Sequence, residues 1–182
     1  MIEIRWHGRG GQGAVTSVEL LALAAIAEGK YAQGFPSFGP ERRGAPVMAF
    51  NRVADKPIKI RSGIYEPDVV VVLDPSLMGL VNVLEGLKKE GLLIVNTAKS
   101  PEEIRKQLNY QGRMATVDAT TIAREELGVP IANTTMIGAV IKATGVVSVD
   151  AVKEPVEERF GRLADRNIKA MKRAYQNLKF FD

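Results

Sequence analysis

The feature that most constrains the fold is a run of glycines close to the start of the chain. Residues 4–9 predict a short strand, and a segment with strong helical character, residues 14–28, follows almost at once. Between them the glycines have the spacing G-x-G-x-x-G, occupied by Gly8, Gly10 and Gly13. This arrangement is typical of a strand, a tight turn and a helix N-terminus, whose unpaired amides favour an anion such as a pyrophosphate.

Each glycine has a predicted role in this turn. Gly8 is expected to let the chain turn, Gly10 and Gly11 to let a ligand approach the main chain, and Gly13 to let helix and strand pack closely. Binding of NAD also requires an acidic residue about twenty positions further on, and residues 31–35 contain none. The sequence therefore predicts an anion-binding turn and argues against NAD, while a turn that serves packing alone stays an alternative.

Composition restricts the possible functions. The 182 residues, 46% of them hydrophobic, are expected to form a single domain spanning residues 1–182. No apolar run has the length of a signal peptide core or a membrane span, so we expect a cytoplasmic protein without membrane contact. With no cysteine, the chain cannot hold an iron–sulfur cluster.

Other residue types argue against catalysis, metal binding and nucleic-acid binding by this chain. The single histidine, His7, is expected to be a core or edge residue, and we predict no metal site and no catalytic residue. The net charge of +4 is modest, and the basic residues lack the interleaved aromatic side chains of a single-strand binder, so no nucleic-acid partner is expected.

The order of the predicted elements indicates an α/β fold. Apolar strands at residues 68–73, 92–95 and 113–117 alternate with helices. Residues 47–53 and 58–60 predict an antiparallel hairpin. We therefore expect a three-layer α/β/α sandwich with a Rossmann-like sheet that is mixed and mostly parallel and includes an antiparallel hairpin.

Polar residues follow several of these strands. Asp74 is expected to cap the next helical segment, and Asn133 to cap a later helix. Because ligands collect beyond the carboxyl ends of parallel strands, Gly8, Asp74, Asn96 and Asp118 should lie along one edge of the sheet.

A long segment, residues 34–46, contains three prolines and three glycines and is expected to be a loop. One interpretation is an ordinary surface loop with solvated arginines. The other is a docking loop that brings Arg42 and Arg43 near the anion site, since guanidinium groups suit phosphate and carboxylate.

Taken together, these motifs resemble a known family, the gamma subunits of 2-oxoacid:ferredoxin oxidoreductases. The resemblance is carried by residues 7–13, 35–47 and 73–77 and extends over essentially the whole chain. The segment 40–46, Pro-Glu-Arg-Arg-Gly-Ala-Pro, is more similar to members that act on pyruvate and branched-chain substrates than to those that act on 2-oxoglutarate.

The resemblance implies a subunit of a heteromeric enzyme. That enzyme converts pyruvate or a related 2-oxoacid, coenzyme A and oxidised ferredoxin to acetyl-coenzyme A or another acyl-coenzyme A, carbon dioxide and reduced ferredoxin. Thiamine diphosphate and [4Fe-4S] clusters are expected on partners, which are an alpha subunit, a thiamine-binding beta subunit and a ferredoxin-like delta subunit. The chain alone is expected to be inactive, to bind no cofactor tightly, and to help bind coenzyme A and close the active site.

Coenzyme A is expected to contact two segments. One is the glycine turn, and the other is the loop at residues 34–46, called the arginine loop here because it contains Arg42 and Arg43. The residues concerned are Gly8, Arg9, Gly10, Gly11, Gln12, Gly13, Arg42 and Arg43. Two alternatives stay open. One is a stand-alone Rossmann-like enzyme that binds a nucleotide such as NAD or S-adenosylmethionine, and the other is a purely structural subunit.

Overall fold

A computed structural model describes residues 1–37, 39 and 42–182 of the chain. Within this part, the strands form one seven-stranded sheet in the order β2-β3-β1-β4-β5-β6-β7. The strands are β1 (Ile2–Arg9), β2 (Tyr31–Pro36), β3 (Pro46–Ala54), β4 (Val69–Val72), β5 (Leu92–Asn96), β6 (Arg113–Val117) and β7 (Lys179–Phe181). The α-helices are α1 (Ala14–Ala27), α2 (Pro101–Leu108), α3 (Ala119–Leu127), α4 (Asn133–Thr144), α5 (Lys153–Phe160) and α6 (Ala164–Asn177).

The sheet is mixed. Strands β1, β4, β5 and β6 pair in parallel, whereas β3 is antiparallel to both of its neighbours, β1 and β2. Strand β7 closes the other edge antiparallel to β6. Five of the seven strands in the described chain therefore point in the same direction, which confirms the predicted α/β class with a mixed, mostly parallel sheet.

The predicted hairpin partner was wrong. Strand β3 pairs with β2, with Gly34 opposite Asn51, and residues 58–60 form no strand. The predicted loop therefore begins after Pro36, since residues 34–36 belong to β2. The reason is that β2 is an edge strand whose side chains are mostly half-buried, so it lacks the apolar alternation that identifies a strand in a sequence.

The sheet is covered on both faces, but unequally. Alternating strand residues such as Trp6 and Val71 pack against α1 and α3 to α6 in the larger hydrophobic cluster. On the opposite face, Val70 and Val72 pack with Ile104 of α2 and with Met78 of the 3₁₀ helix Pro75–Gly79. None of the described helices combines the length and the apolarity that crossing a membrane requires.

Candidate functional site

The turn between β1 and α1 requires glycine at two positions. Gly11 and Gly13 have φ angles of +87° and +78°, a left-handed conformation that side chains disfavour. A Cβ atom on Gly13 would also lie 2.3 Å from Nδ2 of Asn133, at the start of α4. Gly13 thus holds the first position before α1 and lets the N-termini of two helices approach each other.

Gly8 and Gly10 have different roles from those predicted. Gly8 lies inside β1 opposite Val47, and a Cβ there would be 3.3 Å from Leu73 and 3.5 Å from Ala14. Gly8 therefore supplies the close packing of strand and helix that we expected of Gly13. A Cβ on Gly10 would lie 2.2 Å from the carbonyl oxygen of Arg42, so the main chain that approaches Gly10 belongs to the protein itself.

The loop segment at residues 42–45 is hydrogen-bonded along the glycine turn. The Gly10 amide donates to the carbonyl of Ala45 at 2.9 Å, and the Gly44 amide donates to the carbonyl of Gly10 at 3.0 Å. Arg42 and Arg43 are both exposed. The sequence prediction that this loop brings the two arginines to the turn agrees with these contacts, although residues 38, 40 and 41 lie outside the described part.

The two arginines and the nearby amides are available to an outside group. Within the described residues, neither Arg42 nor Arg43 forms a side-chain hydrogen bond or an ion pair. The side chain of Arg43 passes Gly11, with Cγ 3.7 Å and Nε 3.9 Å from the position of a Cβ on that glycine. The amides of Gly11 and Gly13 likewise donate to no described residue.

The side chain of Arg9, by contrast, is hydrogen-bonded within the protein. Its Nε lies 3.0 Å from Oδ2 of Asp74, its Nη1 donates to the carbonyl of Gly44 at 2.9 Å, and its Nη2 donates to Oγ of Ser76 at 2.8 Å. Arg9 therefore connects the arginine loop to the 3₁₀ helix that follows β4.

Gln12 reinforces the same connection. Its Oε1 accepts from the amide of Arg9 at 2.7 Å, and its Nε2 donates to Oδ2 of Asp74 at 2.8 Å. Asp74 also caps the 3₁₀ helix, because its Oδ1 accepts from the amide and the hydroxyl of Ser76. Partial burial favours the neutral acid, but the hydrogen bonds from Ser76, Gln12 and Arg9 outweigh it and lower the pKa of Asp74.

A cavity of about 270 Å³ lies beside this turn, at the carboxyl ends of β1, β4 and β5. Gly11, Gln12, Asp74, Asn96 and Asn133 line it. The predicted meeting of polar residues at this edge is therefore found for Asp74 and Asn96. Asp118 follows β6 at the same edge of the sheet, as predicted, but lines a neighbouring groove together with Thr97.

Asn133 does not cap its helix, contrary to the prediction. Ala132 occupies the capping position of α4, and no side chain caps it. The Asn133 side chain instead donates from Nδ2 to the carbonyl of Gly13 at 3.4 Å, while the hydroxyl of Ser17 donates to the carbonyl of Asn133 at 3.1 Å. Asn133 thus fixes α4 against the glycine turn.

His7 is buried in the sheet, with 4% of its surface exposed. Burial and the neighbouring positive charge of Arg5 lower its pKa to about 3. Nε of Arg5 donates to Nε2 of His7 at 3.0 Å, so the ring accepts at that nitrogen and is neutral. In the described residues, His7 belongs to the core, and no group of three or more potential metal ligands is present.

Comparison with known proteins identifies the family. A family model described as pyruvate ferredoxin/flavodoxin oxidoreductase matches residues 3–177. A relative from Pyrococcus furiosus, the common gamma subunit of its pyruvate and ketoisovalerate oxidoreductases, is 56% identical, and the alignment covers 100% of both chains.

Solved structures share the fold. The crystal structure of the pyruvate oxidoreductase subunit PORC from Thermotoga maritima superposes with a TM-score of 0.88 at 41% identity, covering 100% of this chain and 98% of that one. A 2-oxoglutarate:ferredoxin oxidoreductase from Magnetococcus marinus superposes with a TM-score of 0.77 at 19% identity. The match covers 96% of this chain and 30% of that one. At this identity it shows a shared fold and nothing more.

These matches extend over the glycine turn, the arginine loop and β4 with the Asp74 that follows it. They agree with the resemblance carried by the sequence motifs. The chain therefore belongs to the pyruvate ferredoxin/flavodoxin oxidoreductase family, as a gamma (PorC-type) subunit of a multi-subunit 2-oxoacid:ferredoxin oxidoreductase.

Proposed function

We propose that this subunit binds the phosphate groups of coenzyme A at the glycine turn and helps close the active site of its complex. The complex converts pyruvate or a related 2-oxoacid, coenzyme A and oxidised ferredoxin to the acyl-coenzyme A, carbon dioxide and reduced ferredoxin. The observation that carries the proposal is the exposed pair Arg42 and Arg43 beside the unpaired amides of Gly11 and Gly13.

The chemistry of the turn fits an anion. Backbone amides at a helix N-terminus point at the ligand, and the helix dipole favours negative charge there. Guanidinium groups add bidentate, charge-assisted hydrogen bonds to phosphate oxygens. The carboxylate of Asp74 does not oppose this, because Arg9 already neutralises it. The enzyme from Magnetococcus marinus, whose fold is similar, contains bound coenzyme A.

The predicted ligand residues divide into two groups on this proposal. Gly11, Gly13, Arg42 and Arg43 present donors to the phosphates. Gly8, Arg9, Gly10 and Gln12 shape the turn, because Gly8 and Gly10 are buried and the side chains of Arg9 and Gln12 are bonded to Asp74.

Other subunits supply the redox chemistry. A chain without cysteine offers no thiolate to an iron–sulfur cluster, so we propose that the clusters are held by a ferredoxin-like delta subunit. Thiamine diphosphate is assigned to the beta subunit, with an alpha subunit completing the complex and external ferredoxin accepting the electrons. The isolated gamma chain is then inactive.

The test uses the assembled complex with Arg43→Ala and the Michaelis constants for coenzyme A and for dephospho-coenzyme A, which lacks the 3′-phosphate. Losing a charge-assisted hydrogen bond costs about 1.5–3 kcal/mol, so the Michaelis constant for coenzyme A should rise about 10- to 150-fold. A smaller rise with dephospho-coenzyme A would assign Arg43 to the 3′-phosphate, and an equal rise would assign it to the pyrophosphate.

Arg124→Ala is the matched control, since Arg124 on α3 is also exposed and forms no ion pair with a described residue. Both Michaelis constants should be unchanged in this variant. Unchanged constants in Arg43→Ala as well would refute the proposed contact.

The second candidate is a purely structural subunit, favoured by the close approach of Arg42 to Gly10. On that interpretation the glycines serve packing and the loop holds a neighbouring subunit. Arg42→Ala would then weaken assembly, measured by native mass spectrometry, and leave coenzyme A affinity of the intact complex unchanged.

A further inference from the structure

A second cavity, of about 500 Å³, lies on the face of the sheet opposite α1. It shares no lining residue with the cavity beside the glycine turn. Its lining includes the apolar residues Phe50, Leu77 and Val81, together with Arg5 and His7 of β1. The proposed binding of coenzyme A uses neither of these two polar residues.

Arg5 is a buried cation without a counter-ion. Only 4% of its surface is exposed, and no described carboxylate lies within ion-pair distance of its guanidinium. Its Nε donates to His7, and its Nη2 donates to the carbonyls of Val83 and Glu85. Its Nη1 has no hydrogen-bond partner among the described residues, although leaving a buried charged donor unpaired is costly.

His7 supplies a second unpaired donor at the same place. Because Nε2 accepts from Arg5, the proton of the neutral ring is on Nδ1, which donates to no described residue. The described chain has a single fully enclosed side-chain polar atom without a partner, Oγ1 of Thr135. Nη1 of Arg5 and Nδ1 of His7 are therefore in contact with accessible space, and both side chains line this cavity.

We propose that this cavity binds the carboxylate of a small organic acid. The two carboxylate oxygens accept from Nη1 of Arg5 and Nδ1 of His7, and the apolar part of the acid packs against Phe50, Leu77 and Val81. A monoanion fits better than a phosphate, because the site offers one cation and a neutral donor and the exposed Glu85 lies near the guanidinium.

The test uses the full 182-residue chain, with benzoate as the probe and benzamide as its uncharged isostere. Saturation-transfer NMR should detect benzoate with a Kd on the order of 1 mM, as expected of a ligand with few atoms. Benzamide should bind at least about tenfold more weakly, because it carries no charge to pair with Arg5. Equal binding of the two compounds, or no binding of benzoate, would overturn the proposal.

Substitutions at Val81 and Glu85, which both line the cavity, locate the binding without removing the buried Arg5. Val81→Phe fills the cavity and should abolish the benzoate signal, whereas Val129→Phe, at an exposed valine outside the cavity, should keep it. Glu85→Gln removes the nearby negative charge but keeps the backbone carbonyl that Arg5 uses, so benzoate should bind about threefold more tightly. Binding that Val81→Phe leaves intact would refute this location.

A carboxylate could also come from an acidic side chain of a partner subunit. Measuring benzoate binding to the assembled complex distinguishes a free acid from a partner side chain. If benzoate binds the complex as tightly as it binds the isolated chain, the ligand is a free acid. Loss of benzoate binding on assembly would reassign the cavity to a partner side chain and overturn the proposal.

Discussion

Nε of Arg9 lies 3.0 Å from Oδ2 of Asp74, across 65 positions of sequence. The same carboxylate oxygen accepts from Nε2 of Gln12. Two side chains of the glycine turn therefore meet at the residue that links β4 to the following 3₁₀ helix. This contact explains how a turn with so few side chains keeps a fixed shape: its conformation is held from the neighbouring strand.

Asp74→Asn is expected to destabilise the protein by about 1–3 kcal/mol at pH 7, because the charge-assisted bonds from Arg9 and Gln12 are weakened. The folded state lowers the pKa of Asp74, so its stabilising contribution is present above the unfolded pKa of about 3.9 and is lost as the pH falls below it. The difference in free energy of unfolding between the two proteins, measured with urea, should therefore shrink from pH 6 to pH 3. A constant difference would contradict the role of the charge.

Gly13→Ala is expected to lower the free energy of unfolding by more than backbone strain alone would. Gly13 and Gly128 share a φ of +78°, but a Cβ on Gly128 meets no atom within 4 Å, whereas on Gly13 it would meet Asn133. Gly128→Ala should thus cost about 1 kcal/mol, the usual penalty for this conformation, and Gly13→Ala about 2 kcal/mol or more. Thermal unfolding of both variants measures the difference.

The clash with Asn133 can be tested separately. Adding Asn133→Ala to the Gly13→Ala variant removes the side chain that the new methyl group meets. The double variant should then lose less stability than the sum of the two single variants. Simple additivity would show that Asn133 does not limit the space at Gly13.

Much of the fold could be predicted because its signals are local. The apolar run at residues 68–73, followed by the cap Asp74, predicted a strand and a helical segment, and the structure confirms both, with the strand at Val69–Val72. The capping box of Ser100 and Glu103 at the start of α2 is a signal of the same local kind. Strand runs and caps of this kind depend on neighbours in sequence, and the cap predicted at Asn133 failed where a distant partner, the carbonyl of Gly13, takes the side chain.

The wrong predictions concern contacts between distant residues. The pairing of β2 with β3 is set by the rest of the sheet, and residues 58–60 were an equally plausible partner in sequence alone. The same is true of the site: no spacing rule connects Arg9 and Gln12 to Asp74 or Asn133 to Gly13. The unpaired donor of Arg5 also escaped prediction, because a strand arginine normally indicates a solvated face.

Gly10→Ala is expected to loosen the arginine loop. A methyl group at this position would collide with the carbonyl of Arg42, so the hydrogen bonds between Gly10 and residues 44–45 should weaken. Hydrogen exchange of the Gly44 amide should accelerate at least about tenfold, equivalent to about 1.4 kcal/mol. Gly79→Ala, where a Cβ meets no atom within 4 Å, is the control and should leave this amide unchanged.

The buried His7 is expected to make the stability of the fold depend on pH, and its own ring signals can be followed by NMR. Because burial and Arg5 lower its folded pKa to about 3, the neutral ring stabilises the fold fully above the unfolded pKa of about 6.5. This contribution should be lost as the pH falls from 6.5 towards 3, by at most about 1.4 kcal/mol per pH unit. Since the chain has one histidine, its ring signals in NMR are unambiguous and should show a neutral Nδ1-protonated form from pH 8 to pH 5. His7→Gln should flatten the stability profile between pH 6.5 and 5, and a ring that titrates near pH 6.5 would contradict its buried position beside Arg5.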